Sequence, residues 1–361
     1  MRILVATDAW IPQLNGVVRT LTSLADALRR LGVEVAFLTP EGMRTAALPG
    51  APDIRLALPN PRQIAARIAA YAPDAIHIAT EGPVGLAARR YCRRCRKPFT
   101  TSFHTRLAEY VAARWSIPEG LAWGYLRWFH NAGRGVMASS ASLADELTRR
   151  GFKNVLRWPR GVDARLFRPR AKASLGLLRP IFLTVGRLAA EKNVAAFLAL
   201  DLPGTKVVVG EGPARNDLAR RYPKTIFLGA NDGEELARIY AAADVFTFPS
   251  RTDTYGLVLL EALACGTPVA GFPVAATRDV VGNAPVAVLH EDLRTACLKA
   301  LELSRDACRS FAQTMTWEDS ARCFLDNIEG AGVVPSTTPI LDALKAAAAR
   351  RERKTAAPAI G

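Results

Sequence analysis

The chain has 361 residues, half of them hydrophobic, with 48 Lys and Arg against 33 Asp and Glu and a formal net charge of +15. That length exceeds one ordinary compact domain and supplies apolar residues for two cores. No apolar run approaches the ~20 residues that a bilayer crossing needs, and MRILVATDA runs into a first buried strand without a secretory leader. The six cysteines are scattered, with only Cys92 and Cys95 close together. This usage fits a reduced, cytoplasmic protein rather than a disulfide-stapled one.

The charge is uneven. Residues 1–170 carry 26 Lys and Arg against 12 Asp and Glu, a net of +14, whereas residues 171–330 carry 17 against 19. A one-sided positive surface suits an anionic membrane, nucleic acid or an acidic substrate, and it also serves plain solubility.

Short apolar, β-branched runs alternate with helical patterns along the chain. In chain order the expected strands are 3–7, 33–39, 53–58, 74–79, 99–103, 135–139 and 154–158, then 180–186, 205–210, 225–230, 244–249, 267–272 and 285–289. Near-continuous apolar strands separated by helix-length segments predict parallel sheets covered on both faces. The fold class is therefore α/β, with two doubly wound, Rossmann-like domains. The expected division is 1–167, a linker over the Arg/Pro-rich 168–180, a second domain over 181–310, C-terminal helices over 311–330 that pack back on the first domain, and a basic tail over 331–361. Residues 291–329 read as wholly helical. Doubly wound domains bind ligands beyond the carboxyl ends of their strands, in a cleft that two such domains would share.

Four strand-to-helix junctions carry candidate chemistry. In TDAWIPQLNGVVRTL (7–21), Gly16 opens a helix and lets backbone amides approach an anion; a plain turn glycine is the alternative. In TTSFHTRLAEY (100–110), His104 follows a strand end, where it can meet a substrate hydroxyl or act on a proton, or simply pack. In FLTVGRLAAEKNV (182–194), Arg187 and Lys192 flank a helix start. Cations there oppose the helix dipole and call for an anionic partner such as a diphosphate. In SRTDTYGLVLLEALACGTPV (250–269), Asp253 precedes an apolar helix, the amides near Tyr255, Gly256 and Leu257 point out of its start, and Glu261 sits among leucines. A carboxylate inside an apolar helix must face hydroxyls or positive charge, and paired acceptors suit vicinal diols. The combination suits a sugar nucleotide, with ribose on Glu261, phosphates at the helix start and sugar near Asp253.

With these blocks in view, the chain from residue 1 to about 329 resembles the family 4 glycosyltransferases, retaining enzymes of the GT-B fold, in which two Rossmann-like domains face each other across a cleft. The resemblance is carried by Asp253-x7-Glu261 with GLVLLEALACGTPV, by VGRLAAEKN, by VVVGEGPAR (207–215) and by NGVVRT. It implies that Arg187 and Lys192 bind the diphosphate, that Glu261 holds the ribose, that the Gly16 loop faces the phosphates and that His104 contacts the donor sugar. It further places Gly210 in the donor site and Leu228 and Gly229 at the base pocket, with Asp8, Glu81 and Trp123 as acceptor-side candidates. The family usually has glutamate where this chain has Asp253, one methylene shorter; a related subgroup with TDTFG-like sequences shares the arrangement. The departure bears on which hexose is carried. The implied reaction is transfer of a hexosyl group from a UDP- or GDP-hexose to a membrane lipid such as diacylglycerol, or a GDP-mannose-dependent α-mannosyl transfer to a lipid-linked or other glycan. No cofactor or metal is expected, since nothing resembles an Asp-x-Asp metal site.

Competing signals are weaker. The GEG of 210–212 lacks a dinucleotide fingerprint's third glycine, Arg215 standing there. Cys92-x-x-Cys95 has no second pair for zinc. RWSIPEGLAWGYLRWFHNAGRG (114–135) holds three of the six tryptophans beside several arginines; it reads as core packing, as an acceptor groove or as an interfacial contact with anionic lipid. The lipid contact predicts a peripheral position on the inner face of the cell membrane. A sugar-nucleotide epimerase and a non-catalytic nucleic-acid binder are the rival classes; for the second no recognition motif is present, and no nucleic-acid partner is expected.

Overall fold

The computed structural model describes residues 1–11, 15–48, 51–115, 117–170 and 175–334. Residues 12–14 ahead of Gly16, part of the 168–180 linker and the expected basic tail from 335 onward lie outside the described residues. The chain divides into two compact units, one of residues 1–139, 144–159 and from 318 on, the other of residues 140–143 and 160–317.

The first unit contains β1 (Arg2–Ala6), α1 (Gly16–Arg30), β2 (Glu34–Leu38), β3 (Thr45–Leu48), β4 (Ala51–Ala57), α2 (Pro61–Tyr71), β5 (Ala75–Ile78), α3 (Pro83–Arg94), β6 (Thr100–Phe103), α4 (Leu107–Trp115), α5 (Glu119–His130), β7 (Gly135–Ala138), most of α6 (Ala141–Arg149) and β8 (Val155–Arg157). Six strands form one parallel sheet in the order β2-β1-β5-β6-β7-β8. Every residue of β5, β6 and β7 is buried, as a sheet covered on both faces requires. The covering helices start where the sequence provides caps. Asn15 accepts from the Val17 and Val18 amides, both at 3.0 Å, and α1 then buries Val18, Leu21, Leu24, Ala25 and Leu28 at helical spacing. Asn60 caps α2 directly ahead of Pro61.

Segment 53–58 departs from the expected parallel pattern. It lies in an antiparallel ribbon in which Thr45 pairs with Ala57 and Ala46 with Leu56, apart from the six-stranded sheet. The two residues between β3 and β4 are too few for the crossover that a parallel pair needs.

The second unit contains β9 (Ile181–Val185), a 3-10 turn (Ala190–Lys192), α7 (Val194–Leu198), β10 (Thr205–Val209), α8 (Arg215–Arg221), β11 (Ile226–Phe227), α9 (Gly233–Ala242), β12 (Val245–Phe248), α10 (Leu257–Ala264), β13 (Val269–Gly271), α11 (Ala275–Val281), β14 (Ala287–Leu289), α12 (Leu293–Ala300) and α13 (Arg305–Gln313). Its parallel sheet runs β11-β10-β9-β12-β13-β14, so the order reverses between β9 and β12. That is the strand order of a dinucleotide-type Rossmann sheet, with its topological switch point at β9/β12. Phe182, Phe197, Val208 and Val245 fill one side of the sheet and Leu183, Val207, Tyr240 and Phe246 the other. Full burial of such side chains stabilises a fold by about 1.5–3 kcal/mol each. Arg309 donates to Phe167 O at 2.8 Å, Ala264 O at 2.9 Å and Ala164 O at 2.9 Å, tying the C-terminal end of α10 to the start of the linker.

Residues 291–329, expected as wholly helical, form α12, α13 and α14 (Trp317–Gly330), with turns at 301–304 and 314–316. Helix α14 from residue 318 belongs to the first unit, where Phe324 lies 5.0 Å from the Trp158 ring and Asn327 donates to Arg157 O at 2.8 Å.

Candidate active site

In the second unit, parallel strands bring all the loops after β11, β10, β9 and β12 to one edge of the sheet. Leu228 and Gly229 follow β11, Gly210 follows β10, Gly186 to Lys192 follow β9, and Asp253 to Glu261 follow β12. The ten candidates of this unit therefore share one carboxyl edge, and Arg187, Lys192 and Asp253 flank the switch point itself.

Backbone bonds stitch these loops together. The Gly186 amide donates to Val209 O at 3.0 Å, Leu188 to Glu211 O at 2.9 Å and Gly210 to Gly229 O at 2.7 Å. Such approach needs glycine: a Cβ on Gly210 (φ +139) would stand 1.9 Å from Gly186 O, and one on Gly212 (φ +157) 2.4 Å from Leu188 O. The GEG pair is thus a packing device beneath the β9 loop.

Lys192 and Asp253 form an ion pair, with side chains 30% and 19% exposed. Around them Asn193, in the left-handed conformation (φ 52), donates to Pro249 O at 3.1 Å, and the Thr252 hydroxyl donates to Glu191 O at 3.1 Å. These bonds fix the β9 loop against the β12 loop. Arg187 stands exposed at the same edge, between buried Thr184 and Leu188. Helix α10 begins at Gly256 without a side-chain cap and with no acid in its first turn, so the positive end of its dipole faces the edge. Tyr255 beside it is 8% exposed.

Glu261 is 4% exposed, and its Oε2 accepts a hydrogen bond from the Tyr240 hydroxyl at 3.1 Å. Sequence reading did not find Tyr240. It lies on α9 within an ordinary apolar pattern, and only the packing of α9 on α10 pairs it with a carboxylate 21 positions away. Asn193 and Thr252 were missed for the same reason.

The first unit has its own carboxyl edge, where Asp8, Glu81 and His104 follow the ends of β1, β5 and β6. Gly16 begins α1 there, behind the Asn15 cap. Asp8, expected on the acceptor side, is occupied as a helix cap. Its carboxylate accepts from the Val84 amide at 2.7 Å, the Gly85 amide at 3.2 Å and the Thr80 hydroxyl at 2.8 Å. Burial pushes its carboxyl above the usual 3.8, against the pull of those donors, and the neighbouring Glu81 pushes the same way. Glu81, 8% exposed, lies 3.1 Å from Nε2 of buried His130, whose Nδ1 meets Thr101 Oγ1 at 2.8 Å. His104 Nε2 lies 2.8 Å from Ser102 Oγ.

Trp123, the third acceptor-side candidate, packs inward. It is 3% exposed, stacks on Phe103 at 5.9 Å and donates to Glu119 at 2.8 Å, with the Arg150 guanidinium 3.9 Å from its ring. It is a core residue of α5. Trp128, one face round the same helix, is 54% exposed. Among the described residues no group of three His, Cys, Asp or Glu could hold a metal ion, and no helix is long and apolar enough to cross a membrane.

Residues 14–166 match the family Glycosyltransferase Family 4, and residues 179–306 match Glycosyl transferases group 1. The chain is 30% identical over 309 residues to a GDP-mannose-dependent alpha-mannosyltransferase of Mycobacterium tuberculosis, spanning 78% of this chain and 81% of that one. It is 28% identical over 368 residues to an alpha-monoglucosyldiacylglycerol synthase of Streptococcus pneumoniae, spanning 90% and 83%. Among solved structures, sucrose-phosphate synthase from Thermosynechococcus elongatus superposes with a TM-score of 0.72 at 22% identity, over 90% of this chain and 97% of that one. The structural likeness shows the fold, two Rossmann-like units of the GT-B class.

Proposed function

Since the chain belongs to glycosyltransferase family 4, we propose that it moves a hexosyl group from a UDP- or GDP-hexose to a membrane lipid acceptor such as diacylglycerol. The observation that carries this reading is the gathering of Arg187, Lys192, Asp253, the uncapped start of α10 and Glu261 on the carboxyl edge of one Rossmann sheet, at its switch point. Breaking a sugar–diphosphate bond places negative charge on the departing phosphate. A guanidinium, an ammonium and helix amides gathered at that edge stabilise that charge. On this reading Lys192 exchanges part of its bond with Asp253 for a phosphate oxygen, and Asp253 turns to a hydroxyl of the transferred sugar. Glu261, oriented by Tyr240, holds the ribose diol, and Gly210, Leu228 and Gly229 border the base. His104 acts on the transferred sugar. The acceptor attacks from the leaving-group face, so the anomeric configuration is kept, and the phosphate takes the proton. No metal has a role in this scheme.

A second reading, GDP-mannose-dependent transfer to a lipid-linked or other glycan, is favoured by the mannosyltransferase relative at 30% identity. The lipid reading is favoured by the diacylglycerol-acting relative and by the surface of the first unit. Leu121 is 68% exposed, Trp128 54% and Ile117 41%. Arg89, Arg93, Arg127, Arg149 and Arg150 line an open groove of about 1000 Å³ beside Trp128, and among the described residues no Asp or Glu lines it. The Arg89 guanidinium lies 3.7 Å from the Trp128 ring. An apolar helix face rimmed by arginines suits the interface of an anionic bilayer. A lipid or lipid-linked acceptor would set the protein at the membrane surface.

Thermal-shift screening of UDP- and GDP-sugars against the full chain tests the donor, because a true donor stabilises the fold by linkage. Transfer from the stabilising sugar to diacylglycerol or to a glycan acceptor then separates the two readings. Stabilisation by no nucleotide sugar would defeat both.

A further inference from the structure

Behind His104 lies a line of polar groups that the reaction above does not use. His77 on β5 stands opposite Thr100 on β6 in register, and Ser102 is two residues further along the same face. His77, Thr100 and Ser102 are all 0% exposed. The His77 ring reaches Thr100 Oγ1 with Nδ1 at 2.9 Å and Ser102 Oγ with Nε2 at 3.0 Å, and Ser102 Oγ reaches His104 Nε2 at 2.8 Å. Aromatic rings close the line off: His77 meets Phe324 edge-on at 4.9 Å and Trp158 at 6.0 Å, while His104 meets Trp158 at 5.9 Å. Helix α14 contributes Phe324, and its Ser320 accepts from Trp158 Nε1 at 3.1 Å, holding that ring in place.

A hydroxyl has one proton to give, and a neutral imidazole has one donor and one acceptor nitrogen. Ser102 therefore donates to one histidine and accepts from the other, which couples the two rings. If Ser102 donates to His77, then His77 donates to Thr100, whose own buried proton is left to find an acceptor. Among the described residues the Thr100 hydroxyl has no partner other than His77. If the line runs the other way, Thr100 donates to His77 Nδ1, His77 Nε2–H to Ser102, and Ser102 to His104 Nε2. Every buried proton then has an acceptor, and an unmet buried donor is costly enough to decide between the two senses.

We propose that Thr100, His77 and Ser102 are positioning residues that hold the His104 ring in its Nδ1–H tautomer, turning a donor N–H toward the transferred sugar. The proposal rests on the reading of His104 as a residue of the active site. A fixed donor there orients one sugar hydroxyl, where a ring free to change tautomer would present donor and acceptor in turn.

The test uses the full chain with 15N-labelled histidine, in which long-range 1H–15N correlations read the protonated ring nitrogen of His104. The wild type shows Nδ1–H. Ser102→Ala and His77→Phe move His104 toward the Nε2–H form that free histidine favours, and lower kcat about tenfold while KM stays within about twofold. His77→Gln, whose amide still reaches Ser102, retains most of both properties. Thr100→Val, which removes only the terminal hydroxyl, reads the same coupling if Ser102→Ala fails to fold. An Nε2–H signal in the wild type, or an Nδ1–H signal unmoved by these variants, overturns the proposal. Wild-type turnover in His104→Ala instead overturns the site reading on which it rests, and with it the line's part in catalysis.

Discussion

Asp8 and Val84 stand 76 positions apart, and Oδ1 of the first accepts the amide of the second at 2.7 Å. Helix α3 has only Gly82 at its N-cap, which offers no side chain, so the end of β1 supplies the missing acceptor. A Cβ on Gly82 would stand 2.5 Å from the Asp8 carboxyl carbon, which explains why the cap residue itself is bare. Asp8→Ala is expected to destabilise the protein by about 1–2 kcal/mol, the scale of a lost cap. Urea denaturation at neutral pH measures it; a loss below ~0.3 kcal/mol would show that water replaces the carboxylate.

At the proposed diphosphate site, replacing Arg187 or Lys192 by Ala is expected to lower turnover by roughly a hundredfold or more, the scale of losing one fixed electrostatic donor. Steady-state kinetics with the donor identified by thermal shift provide the check. Near wild-type turnover in both variants removes the site from consideration.

Tyr240 is a hydrogen-bond partner of Glu261 inside the second unit. Tyr240→Phe preserves the ring, which packs 5.9 Å from Phe167 and 5.6 Å from Phe246, and removes only the hydroxyl. The expected cost is about 1–3 kcal/mol, because the bond is buried and its acceptor is a carboxylate. The donor KM should also rise, since the ribose-binding carboxylate loses its orientation. A variant as stable as the wild type with an unchanged donor KM would contradict both expectations.

Glu146 supplies the pH prediction. Burial pushes its carboxyl up, but hydrogen bonds from Arg106 at 2.7 Å and Arg150 at 3.0 Å, with their charges, outweigh burial and hold it below the usual 4.5. A carboxyl depressed in the folded state contributes stability that is present above its unfolded value and lost as pH falls through its folded value. Acidification from about pH 6 to about pH 3 should therefore cost the wild type more stability than Glu146→Gln. Parallel denaturation curves for the two proteins across that range would refute the assignment.

The arginine-rimmed face of α5 is tested with vesicles. Full-length protein should co-sediment with anionic vesicles at low salt, release as salt screens the charges, and ignore neutral vesicles. The double variant Arg127→Glu, Arg149→Glu should lose most of this binding while its turnover on a detergent-dispersed acceptor persists. Failure of the wild type to bind anionic vesicles at low salt ends the membrane reading.

Periodicity and end signals in the amino-acid sequence were sufficient for the two parallel sheets and for the strand-to-helix junctions, because both are short-range properties. The apolar runs that became β5, β7, β9 and β12 are short and nearly continuous, as strands covered on both faces require. Arg187, Lys192, Asp253 and Gly256 announced themselves by sitting where strands end. Tertiary packing alone decided what depends on residues far apart in the chain. It spent Asp8 on a helix end, buried Trp123 while exposing Trp128 on the same helix, and gave Glu261 a tyrosine. It also lined two histidines up through one serine. A buried polar atom takes whichever donor or acceptor the folded chain brings within about 3 Å, and that choice is made in space, beyond the reach of spacing along the sequence.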